Sequence, residues 1–203
     1  MKMGEGFWSL EMPGEGLLPD IWELQPAIAL LVQIQQRDLS LAWHCHRVAN
    51  LSTRLARAMG LHNEEVRTVR WAALLHDVGK LRISETILNK NGPLNQDEWA
   101  IVHRHPNEGA EMVNTLTGMR EVADLVQAHH ERYNGLGYPY RLPKEQIPVG
   151  ARILAVADSF CAMTDKRLYR LSLSPTQARN EVLRCAHIEF DPEVVSAFMD
   201  IVP

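Results

Sequence analysis

The sequence is short of several things, and each shortage excludes a class of protein. Cysteine is scarce: Cys45, Cys161 and Cys185 are far apart and odd in number. No CxxC spacing exists, so neither a thiolate zinc site nor a disulfide framework is expected, and the three read as small buried hydrophobes of a reducing cytoplasm. No apolar run approaches the roughly 20 residues that cross a bilayer, so no membrane segment is expected. The stretch 1–20, with Gly4, Gly6, Pro13, Gly14, Gly16 and Pro19, lacks the basic start and apolar core of a signal peptide and reads as a loose arm or linker. Positive charge is not in surplus: 21 Lys and Arg against 25 Asp and Glu give a net charge of −4, which argues against a polymeric nucleic-acid partner. A small anionic substrate stays open, because bound cations would invert the local field. Alternating strand patterns are missing as well.

What is present is helical periodicity in a chain long enough for one sizeable core. Helices are expected over 21–36, over 40–59 with Gly60 closing it, and from an Asn63 cap to about Asp77. A connection over 80–94 has Ile83, Ile87 and Leu88 as anchors, and Asn95 with Glu98 forms a capping box. Further helices run from Pro106 to about Leu116, from about Arg120 to Glu131, from Pro148 at N1 to about Met163, and onward from Ser174-Pro175 and Asp191-Pro192. The expected fold is an all-α bundle of about eight or nine helices, divided into an N-terminal arm and helix over 1–36 and a domain over 37–203.

Histidine, by contrast, is abundant, with nine in the chain. His129-His130, followed by Glu131 and the run Gly135-Leu136-Gly137-Tyr138-Pro139, makes poor core packing and good metal-ligand chemistry at a helix end. His76-Asp77 sits in the apolar run Leu74 to Lys80, and adjacent helical residues point about 100° apart, so the dyad could serve two ions with one carboxylate between them. Asp158, in Ile153-Leu154-Ala155-Val156-Ala157-Asp158, is a carboxylate that needs a partner if buried. Spacing alone leaves His44 against His46, and His103 against His105, undecided, since residues two apart cannot share a helix face. His62 and His187 read as surface residues. Imidazole and carboxylate donors without thiolates suit Fe, Mn, Zn or Co, and two ions bridged by Asp77 and a hydroxide would match phosphoester hydrolysis. Lys80 stands where it could contact the scissile phosphate; its bland reading is a solvated lysine. Arg167 and Arg170 share a helix face and suit bidentate phosphate contacts.

In sum these residues resemble the HD-GYP family, a branch of the HD superfamily of metal-dependent phosphohydrolases. The likeness runs from about residue 37 to 200 and rests on His44-x-x-Arg47-Val48-Ala49, His76-Asp77-x-Gly79-Lys80, His105-Pro106-x-x-Gly109-Ala110, His129-His130-Glu131-Arg132, Gly135-x-Gly137-Tyr138-Pro139, Ala155-Val156-Ala157-Asp158 and Arg167-x-Tyr169-Arg170. It implies a bacterial phosphodiesterase that hydrolyses cyclic di-GMP to pGpG or GMP. It also implies two divalent ions, iron first and manganese next: His44, His76, Asp77 and Asp158 around one, and His105, His129 and His130 around the other, with Asp77 bridging. His44 is thereby selected over His46, and His105 over His103. The loop carrying Gly137, Tyr138 and Pro139 would shape the substrate cleft, with Lys80, Arg167 and Arg170 as substrate contacts. Such domains take input from an attached or interacting sensor domain, and the 1–36 segment is a candidate for that connection or for homodimer formation. Ser40 stands where some members carry a Glu that helps hold a third ion, which favours two. Asn134 and Cys161 replace frequent Asp residues, and Leu168 a frequent Pro. Two alternatives stand beside hydrolysis of cyclic di-GMP: a weakly active or inactive nucleotide-binding module, and an HD-type phosphohydrolase of another nucleotide.

Overall fold

A computed structural model describes residues 21–165 and 172–203. The arm over 1–20 and the pair Arg167 and Arg170 lie outside the described residues. Within them the fold is all α, with nine helices longer than one turn and one single turn: α1 (Ile21–Arg37), α2 (Leu39–Ala58), α3 (Asn63–Leu75), the single turn α4 (Glu85–Leu88), α5 (Gln96–Val102), α6 (His105–Asn114), α7 (Arg120–Ala128), α8 (Val149–Thr164), α9 (Pro175–Arg184) and α10 (Pro192–Ile201). Among these residues there are isolated bridges but no strand.

Several ends form where the sequence signals them. Gly60, at φ 76, turns the chain after α2. The Asn95 side chain accepts from the Glu98 N–H, and the Glu98 carboxylate accepts in return from the Asn95 N–H. Ser174 and Asp191 cap α9 and α10 through their side chains, with Pro175 and Pro192 in the first turn. Elsewhere the caps differ. α2 starts one residue earlier than expected, capped by Asp38, and α3 starts after His62, whose N–H is taken by Glu65, with Asn63 inside the first turn rather than at the cap. Pro148 stands at the N-cap of α8, not at N1. Of the anchors expected in 80–94, Ile83 is buried and Ile87 partly so, while Leu88 is exposed and anchors nothing.

Two helices stop earlier than periodicity suggests, and both stops carry chemistry. α3 ends at Leu75, so that His76 is its C-cap and the chain tightens into a 3-10 turn over Val78–Arg82. α7 ends at Ala128, with His129 at the C-cap and Glu131 folded back onto the Ala128 carbonyl.

The core is one cluster. α2 packs along α3 and α8, α6 pairs with α7 and with the 3-10 turn, and α1 lies on α2. Val48, Leu55, Ala72, Leu75, Val126, Ile153, Val156 and Phe198 are fully buried within it. Burial on this scale is the main stabilising term, at about 25 cal/mol for each Å² of apolar surface removed from water. Ala27, Leu31 and Ile34 of α1 join that core. The Arg37 guanidinium at the end of α1 donates to the carbonyls of Lys80, Leu81 and Ile83. The three cysteines are free and buried.

Candidate metal centre

Five segments converge at the centre of the bundle. α2 brings His44, the end of α3 brings His76 and Asp77, α6 brings His105, the end of α7 brings His129 and His130, and α8 brings Asp158. His44, His76, Asp77, His105 and His129 are all buried. The 3-10 turn can approach α6 only because residue 79 is glycine: a Cβ there would sit 2.0 Å from the His105 carbonyl oxygen.

The donors fall into two groups. His44, His76 and Asp77 offer ligand atoms within 4.8 Å of one another, and so do His105, His129 and His130. Asp77 faces both, with Oδ1 3.4 Å from His105 Nε2 and Oδ2 3.4 Å from His76 Nε2. Asp158 Oδ1 lies 2.9 Å from His44 Nε2 and 3.9 Å from His76 Nε2.

Backbone carbonyls orient the imidazoles. The Nδ1 atoms of His76, His105 and His129 lie 2.8, 2.7 and 2.6 Å from the carbonyl oxygens of Ala73, Val102 and Val126. A carbonyl can only accept, so each Nδ1 carries a proton; in His105 and His129, which burial keeps neutral, Nε2 then presents a lone pair inward. His105 Nε2 and His129 Nε2 then meet at 3.4 Å as two acceptors with no proton between them, and the buried His76 Nε2 has no hydrogen-bond partner. Two facing lone pairs and an orphaned buried nitrogen are costly unless a cation lies among them. The donor set therefore fits divalent metal binding, with the backbone bonds serving as the outer support usual for ligating histidines.

Electrostatics separates the two groups. Burial drives His129 well below the ordinary imidazole value, and carries His105 down to about 4 and His130 to about 3. Those rings stay neutral and free to ligate. Burial opposes ionisation of Asp77, but the Lys80 ammonium and the His76 ring outweigh it and hold the carboxyl well below its usual range. Burial likewise opposes ionisation of Asp158, which the His44 bond and the charge of His76 reverse, leaving its carboxyl low. Lys80 Nζ donates to Asp77 Oδ2 at 2.7 Å. Burial works against the ammonium, yet Asp77 raises its pKa.

A cleft of about 320 Å³ opens onto the donors, lined by His129, His130, Tyr138 and Asp158 and rimmed by Trp99, His103, Arg132 and Glu189. Tyr138 is the member of the Gly-Tyr-Pro run that lines it, stacked between His103 at 4.2 Å and His130 at 4.8 Å. Gly137 is buried against its own chain: a Cβ would lie 2.3 Å from the Arg132 nitrogen. The close approach that this glycine permits is thus to backbone 130–132. The buried Glu131 carboxylate accepts from the N–H groups of Tyr140 and Leu142 and so ties the loop down. Asn134 takes the Leu136 N–H on its side-chain oxygen at 3.0 Å, a bond an Asp would make equally well. His62 and His187 are exposed.

Two participants escaped the sequence reading. Asp165 accepts from His44 Nδ1 at 2.7 Å and pairs with Arg47, so a carboxylate rather than a carbonyl orients that ring. Its signal was its place two helical turns beyond Asp158, on the same face. Trp99, one turn before His103, is the second.

Comparisons with known proteins agree with this picture. The HD domain family matches residues 27–194. The 3'3'-cGAMP-specific phosphodiesterase 2 of Vibrio cholerae is 36% identical over 82% of this chain and 32% of its own length. A cyclic di-GMP phosphodiesterase of Thermotoga maritima is also 36% identical, over 82% of this chain and 46% of its own. The chain thus spans less than half the length of these relatives. The solved structure of an HD-GYP-type protein of Bdellovibrio bacteriovorus superposes with a TM-score of 0.64 at 21% identity, covering 79% of this chain and 51% of that one, which speaks to the fold.

Proposed function

The chain belongs to the HD-domain family, in its HD-GYP branch, and on that premise we propose that it is a metal-dependent phosphodiesterase of cyclic dinucleotides, cyclic di-GMP foremost. One observation carries the reading: Asp77 presents one oxygen to each of two buried donor groups. In this reading His44, His76, Asp77 and Asp158 hold one divalent ion, and His105, His129 and His130 hold a second, with Asp77 between them. Iron is the first candidate and manganese the next, as imidazole–carboxylate donors without thiolate suit. Such a pair supplies an activated water and neutralises the charge of the phosphodiester under attack.

The protein's own groups do the rest. The carbonyl-bound imidazoles keep their lone pairs aimed inward with no reorganisation. Lys80, the cation nearest Asp77, stands ready to contact a phosphate oxygen or to protonate the leaving alkoxide. Tyr138, held by the loop that Glu131 ties down, forms one wall of the cleft. Arg167 and Arg170 are proposed as further phosphate contacts.

The same proposal keeps 37–203 as the HD-GYP unit of a cytoplasmic protein and 1–36 as its link to a sensor domain or to a second copy. The Arg37 bonds to the turn that carries Lys80 support such a route. Among the described residues no helix is long and apolar enough to cross a membrane. An inactive module gains no support from Asn134 or Cys161, since one serves the loop and the other packs in the core.

The test is chromatographic. Protein loaded anaerobically with ferrous or manganous ion is incubated with cyclic di-GMP. Metal-dependent appearance of pGpG or GMP is expected. Bound but uncut substrate under every metal would overturn the enzymatic reading.

A further inference from the structure

Aromatic rings run in an unbroken series from the donor cluster to the protein surface. His130 lies 4.8 Å from Tyr138, Tyr138 is stacked on His103 at 4.2 Å and 21°, and His103 lies 5.3 Å from Trp99. Loop packing accounts for the inner part of this series, because His103 braces Tyr138. It does not account for Trp99. That ring extends the series one step past His103, is 49% exposed, and lies on the rim of the cleft. Its helix, α5, has no buried residue, so core packing gives no reason for a tryptophan there.

Size supplies the second argument. The cleft, at about 320 Å³, is near the lower limit of small-molecule sites. A ligand of two nucleotides with a phosphate at the buried donors cannot lie wholly inside it. Its outer nucleoside must pass over the edge of the cleft, where Trp99 presents a flat, half-bare indole. Aromatic side chains at such positions bind bases by stacking, which every base permits through its π-face.

We infer that Trp99, backed by His103, is a stacking platform for the outer purine of the cyclic dinucleotide. The inference rests on the phosphodiesterase reading above. It gives Trp99 the role of a substrate-affinity residue, remote from the reacting phosphate. Because stacking tolerates any base, the platform supports guanine and adenine alike and contributes affinity without choosing between them.

The experiment compares metal-loaded wild type, Trp99→Ala and Trp99→Phe on cyclic di-GMP and on cyclic GMP-AMP, with binding of a hydrolysis-resistant phosphorothioate analogue measured in parallel. Loss of one base stack weakens binding by about tenfold or more. W99A is therefore expected to raise KM and the analogue Kd by about that factor for both nucleotides, with a much smaller change in kcat, and W99F is expected to recover most of the loss. A wild type that turns over normally beside a W99A variant whose KM and Kd stay within twofold would overturn the platform alone. So would a loss in W99A that W99F does not recover. A wild type that neither binds nor cuts any cyclic dinucleotide would overturn the phosphodiesterase reading and the platform with it.

Discussion

The two donor groups at the centre of the bundle are built on opposite plans. His105, His129 and His130 form an all-imidazole group, neutral by burial, with two lone pairs facing each other at 3.4 Å and no anion of its own. His44, His76 and Asp77, with Asp158 beside them, form a mixed group whose charges already have partners: Lys80 on Asp77, His44 on Asp158, and Asp165 with Arg47 behind His44. Without a cation the mixed group leaves one buried nitrogen, His76 Nε2, without a hydrogen-bond partner, and the imidazole group leaves two nitrogens facing each other. Both have a buried nitrogen for an ion to satisfy, but only the mixed group carries carboxylates of its own. Asp77 places one carboxylate oxygen 3.4 Å from a histidine of each group.

The largest test of that contrast is Asp77→Ala. Removing the shared carboxylate should cost ions in both groups and reduce turnover by about a thousandfold or more, as loss of a central electrostatic group does. Elemental analysis and product formation would check it, and retention of a full metal complement would break the bridging role. Next comes His129→Ala, which should remove one ion while the mixed group keeps the other. Loss of both would show that the two groups are not separable.

Asp165→Ala should act through His44 and only on the mixed group. A weakening of about 10- to 100-fold in metal affinity or activity is expected, the usual effect of losing an outer partner of a ligating histidine. A chelator titration would place the loss on one ion or on both.

Acid should separate the groups more gently. His105, with a pKa near 4, and His130, near 3, are neutral in the fold and charged in the unfolded chain between those values and the ordinary 6.5, as is His129. In that window the unfolded state binds more protons, so stability falls as pH falls. His76, whose pKa is held high by Asp77 against burial, works the other way but is a single ring against three. Metal-free protein should therefore lose several degrees of Tm between pH 7 and 5, read by thermal melts. A flat profile would contradict the neutral imidazole group. Smallest of all, Asn134→Asp should leave Tm unchanged and activity within about twofold of wild type, since either side chain accepts from Leu136.

Much of this was legible in the sequence, and the failures have a physical pattern. Helix starts with a side-chain acceptor, at Asn95, Ser174 and Asp191, could be read directly. Helix ends at Leu75 and Ala128 could not, because no Gly, Pro or side-chain cap stands at either end and the first residue beyond each keeps helical dihedrals. The ligand types were legible because two adjacent imidazoles and an apolar-flanked His-Asp pair make poor packing. The choice of His44 over His46 came only from family resemblance. In the fold it follows from packing: His44 is buried beside Asp158, while His46, two residues on, points to the far side of the helix and is partly exposed. Asp165 was hidden because its role depends on α2 crossing α8, a contact that no local pattern encodes.

The central claim is that two separate groups, joined by Asp77, each hold one ion. Metal content per chain, measured on anaerobically prepared wild type and on H129A side by side, tests it most directly. Two ions per wild-type chain and one per variant chain are the predicted result. A wild type that retains one ion or fewer under iron and manganese alike would contradict it.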